Sequence, residues 1–152
     1  MLQHLCVNPA QFAAARQILQ GSEPLGNFER LAQETVNPDS VLHYRIEGGR
    51  DKLGRFQLRC KLEGRIDLAC QRCLEAVGHV IDSDKGFYLA DTPERADQME
   101  RELAGELGFD VEVIEAGHTL DLAALIEDEV LLGLPIVPMH PEGACRPPED
   151  HV

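Results

Sequence analysis

Large aromatic side chains are scarce in this chain of 152 residues, which has no tryptophan and only 5% aromatic residues. We therefore expect a core built mainly from Leu, Val, Ile and Ala, with few rings on which unpaired nucleic-acid bases could stack. No stretch approaches the ~20 consecutive apolar residues that a membrane-spanning helix requires. The first residues, MLQHLCVNPAQ, lack both a basic start and a continuous apolar run, so we expect no secretory signal there.

Basic residues are outnumbered, since 14 Lys and Arg stand against 27 Asp and Glu and give a formal net charge of −13. This balance disfavours general binding to nucleic acid, because that affinity depends largely on cations that contact phosphates. The charge is uneven: residues 45–72 hold eight bases and four acids, whereas residues 91–130 hold thirteen acids and two bases. The distribution predicts one mildly basic face and one strongly acidic face.

The five cysteines are an odd number at uneven spacing, which is not the paired framework of a small disulfide-rich secreted protein. A chain of about 150 residues buries roughly 70% of the surface that its unfolded form exposes, so it needs no disulfides to form a core. We expect reduced thiols in the cytoplasm, where they serve as core residues, metal ligands or reactive groups.

The pattern of apolar residues predicts an α+β fold with a largely antiparallel, curved or barrel-like sheet, N-terminal helices and one C-terminal helix. A first helix is expected from Asn8-Pro9 to the residue before Gly21, and a second over residues 28–34. Apolar and polar residues alternate from 56 to 70, which is typical of a strand with one buried and one solvated face. Because strands are usually roughly 3–10 residues long, we expect Gly64 to mark a bulge or bend in this one.

The other elements follow from the same patterns. Further strands are predicted at residues 42–46, 76–90 and 111–114. Gly48-Gly49 is typical of a hairpin turn, and residues 91–108 are expected to form a helix or a mobile loop. Thr119 or Asp121 would cap the C-terminal helix, which ends at Leu134-Pro135.

Cys70-Gln71-Arg72-Cys73 is the most specific local motif, because two thiolates separated by two residues can bind one ion from a tight turn at the end of a strand. His140 and Cys145 lie beyond the last predicted helix and would complete a tetrahedral set of three sulfurs and one nitrogen, a set that structural zinc accepts. The alternative is that Cys70 ends the buried face of the strand and Cys73 is an incidental thiol. A thioredoxin-like redox role is disfavoured, because the surrounding pattern is of antiparallel strands.

Two sets of charged residues are candidates for contact with RNA or with a protein partner. The basic set, on the solvated side of the long strand, consists of Arg55, Arg59, Lys61 and Arg65. It would either follow phosphates or be an ordinary solvated face that discourages aggregation. The acidic set, on the last helix, consists of Glu127, Asp128 and Glu129. Consecutive side chains on a helix point about 100° apart and do not converge on one metal ion, so a solvated helix face is the alternative to partner contact.

The segment IDLACQRCLEAV, followed by LDLAALIEDEVLLGLPIVPMH and a final cysteine, resembles the YceD family of large ribosomal RNA subunit accumulation proteins. The resemblance implies one YceD-like domain over residues 1–146, with an irregular tail at 147–152. It also implies a non-enzymatic accessory role in the synthesis, processing or stability of large-subunit (23S) ribosomal RNA. We expect the chain to act by binding this RNA, its precursor ribonucleoprotein or an assembly partner. Two alternatives are an acidic protein that holds a basic ribosomal protein before assembly and a metal-dependent RNA-processing enzyme.

Overall fold

The computed structural model describes residues 2–107, 112–141 and 143, and its architecture is α+β as the sequence predicts. The strands are β1 (Cys6–Val7), β2 (Ile18–Pro24), β3 (Val41–Arg50), β4 (Phe56–Ala69), β5 (Ala76–Ala90), β6 (Val113–Glu115) and β7 (Leu120–Asp121). The helices are α1 (Pro9–Ala14), α2 (Leu31–Glu34), α3 (Pro93–Leu107) and α4 (Leu122–Leu132), with short 3-10 turns at Gln3–Leu5 and Leu25–Asn27. Within the described residues, no helix is both long enough and apolar enough to cross a lipid bilayer.

Helix α1 begins as predicted but is shorter. The side chain of Asn8 accepts a hydrogen bond from the backbone N–H of Gln11 at 3.0 Å, which caps the first turn. The helix ends at Ala14, and Arg16 then adopts a left-handed conformation with φ of 52°. The prediction of a helix up to Gly21 is therefore wrong. Residues 18–24 pair along their whole length with β3, and this pairing outweighs the local helical spacing of the apolar residues.

Five strands form one sheet in the order β2-β3-β4-β5-β6, in which β5 and β6 are parallel and the other pairs are antiparallel. The alternation along β4 is confirmed, because Leu58, Cys60, Leu62 and Ile66 are all buried. β2 and β6 lie at opposite edges of the sheet, so the five strands do not close into a barrel.

Two glycines have roles that differ from the predicted ones. Strand β4 runs through Gly64 with continuous pairing to β5, while its pairing with β3 ends at Gly64, and a Cβ there would lie 2.9 Å from the carbonyl oxygen of Val41. Glycine is thus needed at this position for the close approach of a neighbouring backbone, not for a bulge. Gly48 lies inside β3, and a Cβ on it would lie 2.6 Å from the carbonyl oxygen of Phe12. It allows α1 to pack directly on the sheet, while the hairpin turn lies at residues 51–55.

The main core lies between the apolar face of the sheet and helices α1, α2 and α4. Its fully buried members include Phe28, Leu31, Leu42, Ile46, Leu62, Ile66, Leu122 and Ile126. Helix α3 instead packs on a separate small cluster that consists of Ala90, Ala96, Met99 and Leu103. We call the end of the sheet that carries α3 and the turn at 51–55 the α3 end, and the opposite end, with the β4–β5 turn at 70–75, the cysteine end.

Candidate metal centre and charged surfaces

The turn between β4 and β5 contains the cysteine motif and is closed by its own backbone. The N–H of Cys70 donates to the carbonyl of Glu75 at 2.8 Å, and the N–H of Leu74 donates to the carbonyl of Cys70 at 2.9 Å. Leu74 adopts a left-handed conformation with φ of 66°, which residues other than glycine, asparagine and aspartate rarely visit. This tight turn brings the sulfur atoms of Cys70 and Cys73 within 4.8 Å of each other.

The chain beyond α4 returns to this turn and adds an imidazole. The N–H of Gln71 donates to the carbonyl of Pro138 at 2.8 Å, and Nδ1 of His140 lies 3.5 Å from Sγ of Cys73. Nε2 of His140 lies 2.9 Å from the carbonyl oxygen of Ala76. Because a carbonyl only accepts hydrogen bonds, Nε2 carries the proton in the neutral ring and Nδ1 keeps its lone pair towards the thiols.

Three of the four predicted ligands therefore lie together, because the ligand atoms of Cys70, Cys73 and His140 are all within 4.8 Å of one another. Two sulfurs and one imidazole nitrogen suit a zinc ion, which binds cysteine thiolate and neutral histidine in tetrahedral sites. The hydrogen bond from Nε2 to a backbone carbonyl is the outer support that metal-binding histidines commonly have. Cys145, the fourth predicted ligand, lies outside the described residues, and its part in the site stays a prediction.

The surroundings of Cys70 favour its thiolate form even though the residue is buried. Burial raises the pKa of the Cys70 thiol, but hydrogen bonds from the backbone N–H groups of Cys73, His140 and Arg72 outweigh it. The net result lowers the pKa to about 5. At neutral pH the sulfur is therefore ionised, and this is the form that binds a metal ion.

Two other cysteines lie apart from this cluster and have different surroundings. Cys60 is fully buried on the core face of β4, and burial, followed by the charges of Glu129 and Asp84, raises the pKa of its thiol to about 12. Cys6 is exposed in β1. Cys60 thus behaves as an apolar core residue, whereas Cys6 is a suitable control for experiments on the cluster.

The basic set lies beside carboxylates of the same sheet. Arg59 donates two hydrogen bonds to Asp84 of β5, at 2.8 and 2.7 Å. Arg65 donates to Asp67 at 3.0 Å, and Lys61 lies directly opposite Asp84 in the strand register. The local excess of bases along one strand is therefore offset by acids on that strand and its neighbour.

Arg55 does not point to solvent, contrary to the prediction. Its side chain is only 11% exposed and binds Asp51 at 2.6 Å and Glu106 of α3 at 2.8 Å. The guanidinium carbon also lies 5.6 Å from the centre of the Tyr88 ring. The hydrogen bonds that Arg55 donates to Glu106 and then to Asp51 raise its pKa above the ordinary value, so its charge is retained. Arg55 therefore ties α3 to the sheet.

Glu127 of the acidic set is built into the fold and is not part of a solvated face. It is 6% exposed, and its Oε2 accepts hydrogen bonds from the backbone N–H groups of Arg30 at 2.5 Å and Leu31 at 3.1 Å. These N–H groups lie at the start of α2, where Arg30 makes no side-chain cap of its own. Glu127 thus caps a helix that lies far earlier in the chain.

The other two acidic residues form ion pairs. Asp128 is exposed and binds the guanidinium of Arg30 at 2.7 Å. The carboxylate of Glu129 is largely buried and lies 3.4 Å from Nζ of Lys85, which also binds Glu112. Glu112 and then Glu129 raise the pKa of Lys85. Of the three predicted contact residues on α4, Asp128 presents most of its carboxylate to solvent.

Sequence reasoning missed that Asp84 faces the basic set, because Asp84 belongs to a different strand. Once residues 56–70 and 76–90 are taken as two arms of one hairpin, the register places Lys61 opposite Asp84 and Glu63 opposite Asp82. The short turn between the two predicted strands therefore indicated that they pair in this register, and so placed Asp84 beside the basic set. The capping role of Glu127 had no comparable local signal, since its partners lie in another part of the sequence.

The fold and the cluster together define a small α+β domain with a candidate metal site made of thiols and an imidazole. Residues 58–151 match the family model described as Large ribosomal RNA subunit accumulation protein YceD, and the chain belongs to this family. The chain is similar to the Large ribosomal RNA subunit accumulation protein YceD of Haemophilus influenzae, with 29% identity over 93% of this chain and 78% of that protein. No solved structure matches the chain. The resemblance found in the two sequence segments is confirmed.

Proposed function

We propose that the chain is a non-enzymatic accessory factor for the accumulation of large-subunit ribosomal RNA, and that it acts in the cytoplasm by binding a basic protein of the assembling subunit. Membership in the YceD family supports the role in large-subunit RNA accumulation. The choice of a protein partner rests on one observation. Three arginines on the solvated face of the sheet, Arg45, Arg59 and Arg65, are engaged by carboxylates, on a chain whose net charge is −13.

RNA affinity depends on cations that neutralise phosphates. On this sheet, Arg45, Arg59 and Arg65 each bind a carboxylate. A phosphate that approached one of these arginines would displace an anion already bound there and would meet the displaced carboxylate as a repulsive neighbour. The net gain from each contact is therefore small, which disfavours the basic set as an RNA track.

A basic protein would instead meet complementary charge at the α3 end. Residues 91–107 carry six acids and two bases. The exposed acids of this segment are Asp91, Glu94, Asp97, Glu100, Glu102 and Glu106. Arg95 lies 3.9 Å from Glu102, and Glu106 binds Arg55, so four of the six carboxylates have no ion pair among the described residues. Such a surface attracts cations over about 8–10 Å at physiological salt.

The test presents two probes to the same immobilised chain: RNA-free proteins extracted from large ribosomal subunits, and protein-free large-subunit RNA. We expect retention of one or a few basic proteins that weakens as salt rises, with little retention of RNA. Replacing Glu94, Asp97 and Glu100 together with Gln should weaken protein retention, whereas Lys61→Glu should leave it unchanged. Salt-dependent RNA retention that Lys61→Glu abolishes would contradict the protein partner, and metal-dependent shortening of the RNA would favour an enzyme.

We also propose that Cys70, Cys73 and His140, together with Cys145, hold a structural zinc ion. The proposal is supported by the donor set and by the orientation of the His140 ring, whose Nδ1 faces the two thiols. Such an ion would fasten the β4–β5 turn to residues 138–140, in addition to the hydrogen bonds that Gln71 and Ala76 make with this stretch. Because binding is confined to the native arrangement of the ligands, the ion would stabilise this end of the fold.

Metal analysis of protein purified without a metal-affinity tag tests the zinc proposal. We expect about one zinc ion per chain, lost in Cys73→Ser and retained in Cys6→Ser. Chelation should lower the melting temperature and increase hydrogen exchange in residues 70–76, while the main core stays folded. Reduced, folded wild-type protein without zinc would refute the proposal.

A further inference from the structure

Exposed apolar side chains are concentrated beside the cysteine motif. We call four of them the apolar lip: Leu74, Ile136, Val137 and Met139, which are between 43% and 100% exposed. The two segments that carry them lie side by side, because the N–H of Gln71 donates to the carbonyl of Pro138 at 2.8 Å. Residues 130–141 contain no Asp, Glu, Lys or Arg, so no charge from this stretch interrupts the lip. Exposed apolar residues on neighbouring segments commonly mark a site of interaction.

Leu74 is held in the lip against its own conformational preference. Its left-handed φ of 66° is unfavourable for leucine and costs glycine nothing. The side chain does little for the fold, since the residue is 68% exposed. Strained residues that the fold itself does not use are found mainly at functional sites. Contact with another molecule explains why the turn carries leucine where glycine would fit better.

We propose that the apolar lip docks an apolar segment of a basic protein, which rests on the proposed function and adds a second contact surface for that partner, at the opposite end of the sheet from α3. RNA does not fit this surface, because the lip has no aromatic ring for base stacking and Arg72 is the single cation of the adjoining turn. A second copy would place two chains of charge −13 against each other, whereas a basic partner gains from that charge.

An exposed acid next to the lip strengthens the match to a basic partner. Glu75 follows Leu74 in the turn and is exposed. Asp128 on α4 is also exposed, but it already binds Arg30, so Glu75 is the acid that the lip offers. An apolar patch with a partly acidic rim complements a segment in which apolar and basic residues are interspersed.

Leu74→Gly tests the proposal, because it removes the apolar side chain and also relieves the backbone strain. Its matched control is Val80→Thr, since Val80 is 71% exposed on β5, outside both the lip and the α3 end. The probe is again the RNA-free protein of large ribosomal subunits, followed by titration with the protein that the wild type retains. We expect Leu74→Gly to keep the wild-type melting temperature or exceed it, and to weaken binding by about tenfold or more, with Val80→Thr unchanged.

Each other outcome is decisive. Unchanged binding by Leu74→Gly and by Ile136→Ser, which lies outside the turn and cannot alter its fold, would refute the lip and leave the proposed function intact. If the wild type retains no basic protein, the proposed function fails and the lip proposal fails with it. A concentration-dependent dimer that Leu74→Gly abolishes in sedimentation experiments would overturn the basic partner in favour of a second copy.

Discussion

Replacing Glu127 with alanine should destabilise the protein strongly, because its carboxylate is the cap of a distant helix. It accepts hydrogen bonds from the backbone N–H groups of Arg30 at 2.5 Å and Leu31 at 3.1 Å, in a site where Glu127 is 6% exposed. A hydrogen bond to a charged group contributes about 1.5–3 kcal/mol, and alanine would leave both donors without their acceptor. Since water can reach part of the vacated space, we expect a loss of about 3 kcal/mol in the free energy of unfolding, near the lower end of the combined contribution of the two hydrogen bonds.

In a chain of this length, that loss corresponds to a fall in melting temperature of roughly 6–12 °C, which calorimetry measures directly. Asp128→Ala is the matched control, because it removes an exposed ion pair with the same Arg30 that is worth about 0–1 kcal/mol. Glu127→Gln keeps one oxygen acceptor, so its fall in melting temperature should lie between those of Glu127→Ala and Asp128→Ala. A loss of less than about 1 kcal/mol in Glu127→Ala, or one no greater than that of Asp128→Ala, would refute the capping argument.

Three further predictions concern other parts of the fold. Gly48→Ala should lower the free energy of unfolding by about 1–3 kcal/mol, because the new Cβ would lie 2.6 Å from the carbonyl oxygen of Phe12. Gly49→Ala is the control and should change stability little, because the nearest atom to its Cβ is 3.9 Å away. Equal melting temperatures of the two variants would contradict this prediction. The pKa of Cys70 is lowered from 9.0 to about 5, so metal-free protein should be stabilised fully above pH 9 and lose that contribution as the pH falls to 5. Denaturant titrations over this pH range should show that stability depends less on pH in Cys70→Ser than in the wild type. Identical dependence in the two proteins would argue against the thiolate. Glu106→Gln should speed amide hydrogen exchange in α3 but not in β3, because it weakens the ion pair with Arg55 that holds α3 to the sheet. Exchange in α3 that is no faster than in the wild type would show that this ion pair does not stabilise the helix.

The sequence was most informative where one segment determines its own structure. The alternation around Leu62 predicted the buried face of β4, and Asp121, one of the two predicted caps, does cap α4 by accepting from the N–H groups of Ala123 and Ala124. The cysteine motif with His140 was likewise foreseen as a cluster, since ligand chemistry limits which residues can share an ion. These features depend on residue type and spacing, which are visible in the sequence.

Features that depend on distant partners could not be predicted in this way. Residues 18–24 have apolar residues at helical spacing with those before them, and only pairing with β3 makes them a strand. The charge of the basic face was misjudged for the same reason, because Asp84 reaches Arg59 from a neighbouring strand. Glu127 is the extreme case, since nothing near it in the sequence indicates that it binds Arg30. In each case the deciding contact lies across the fold.

The long separation between α2 and its cap also fixes an order of events during synthesis. Glu127 follows Arg30 by 97 residues, which at about 5–20 residues per second is a delay of roughly 5–20 s. Throughout that interval α2, a single turn of four residues, has neither its cap nor α4 beside it, and so short a helix does not persist alone. The pairing of β4 with β5 starts at a short connecting turn, so it can begin as soon as the hairpin emerges. Helix α2 is therefore completed only by a residue that is made 97 residues after Arg30.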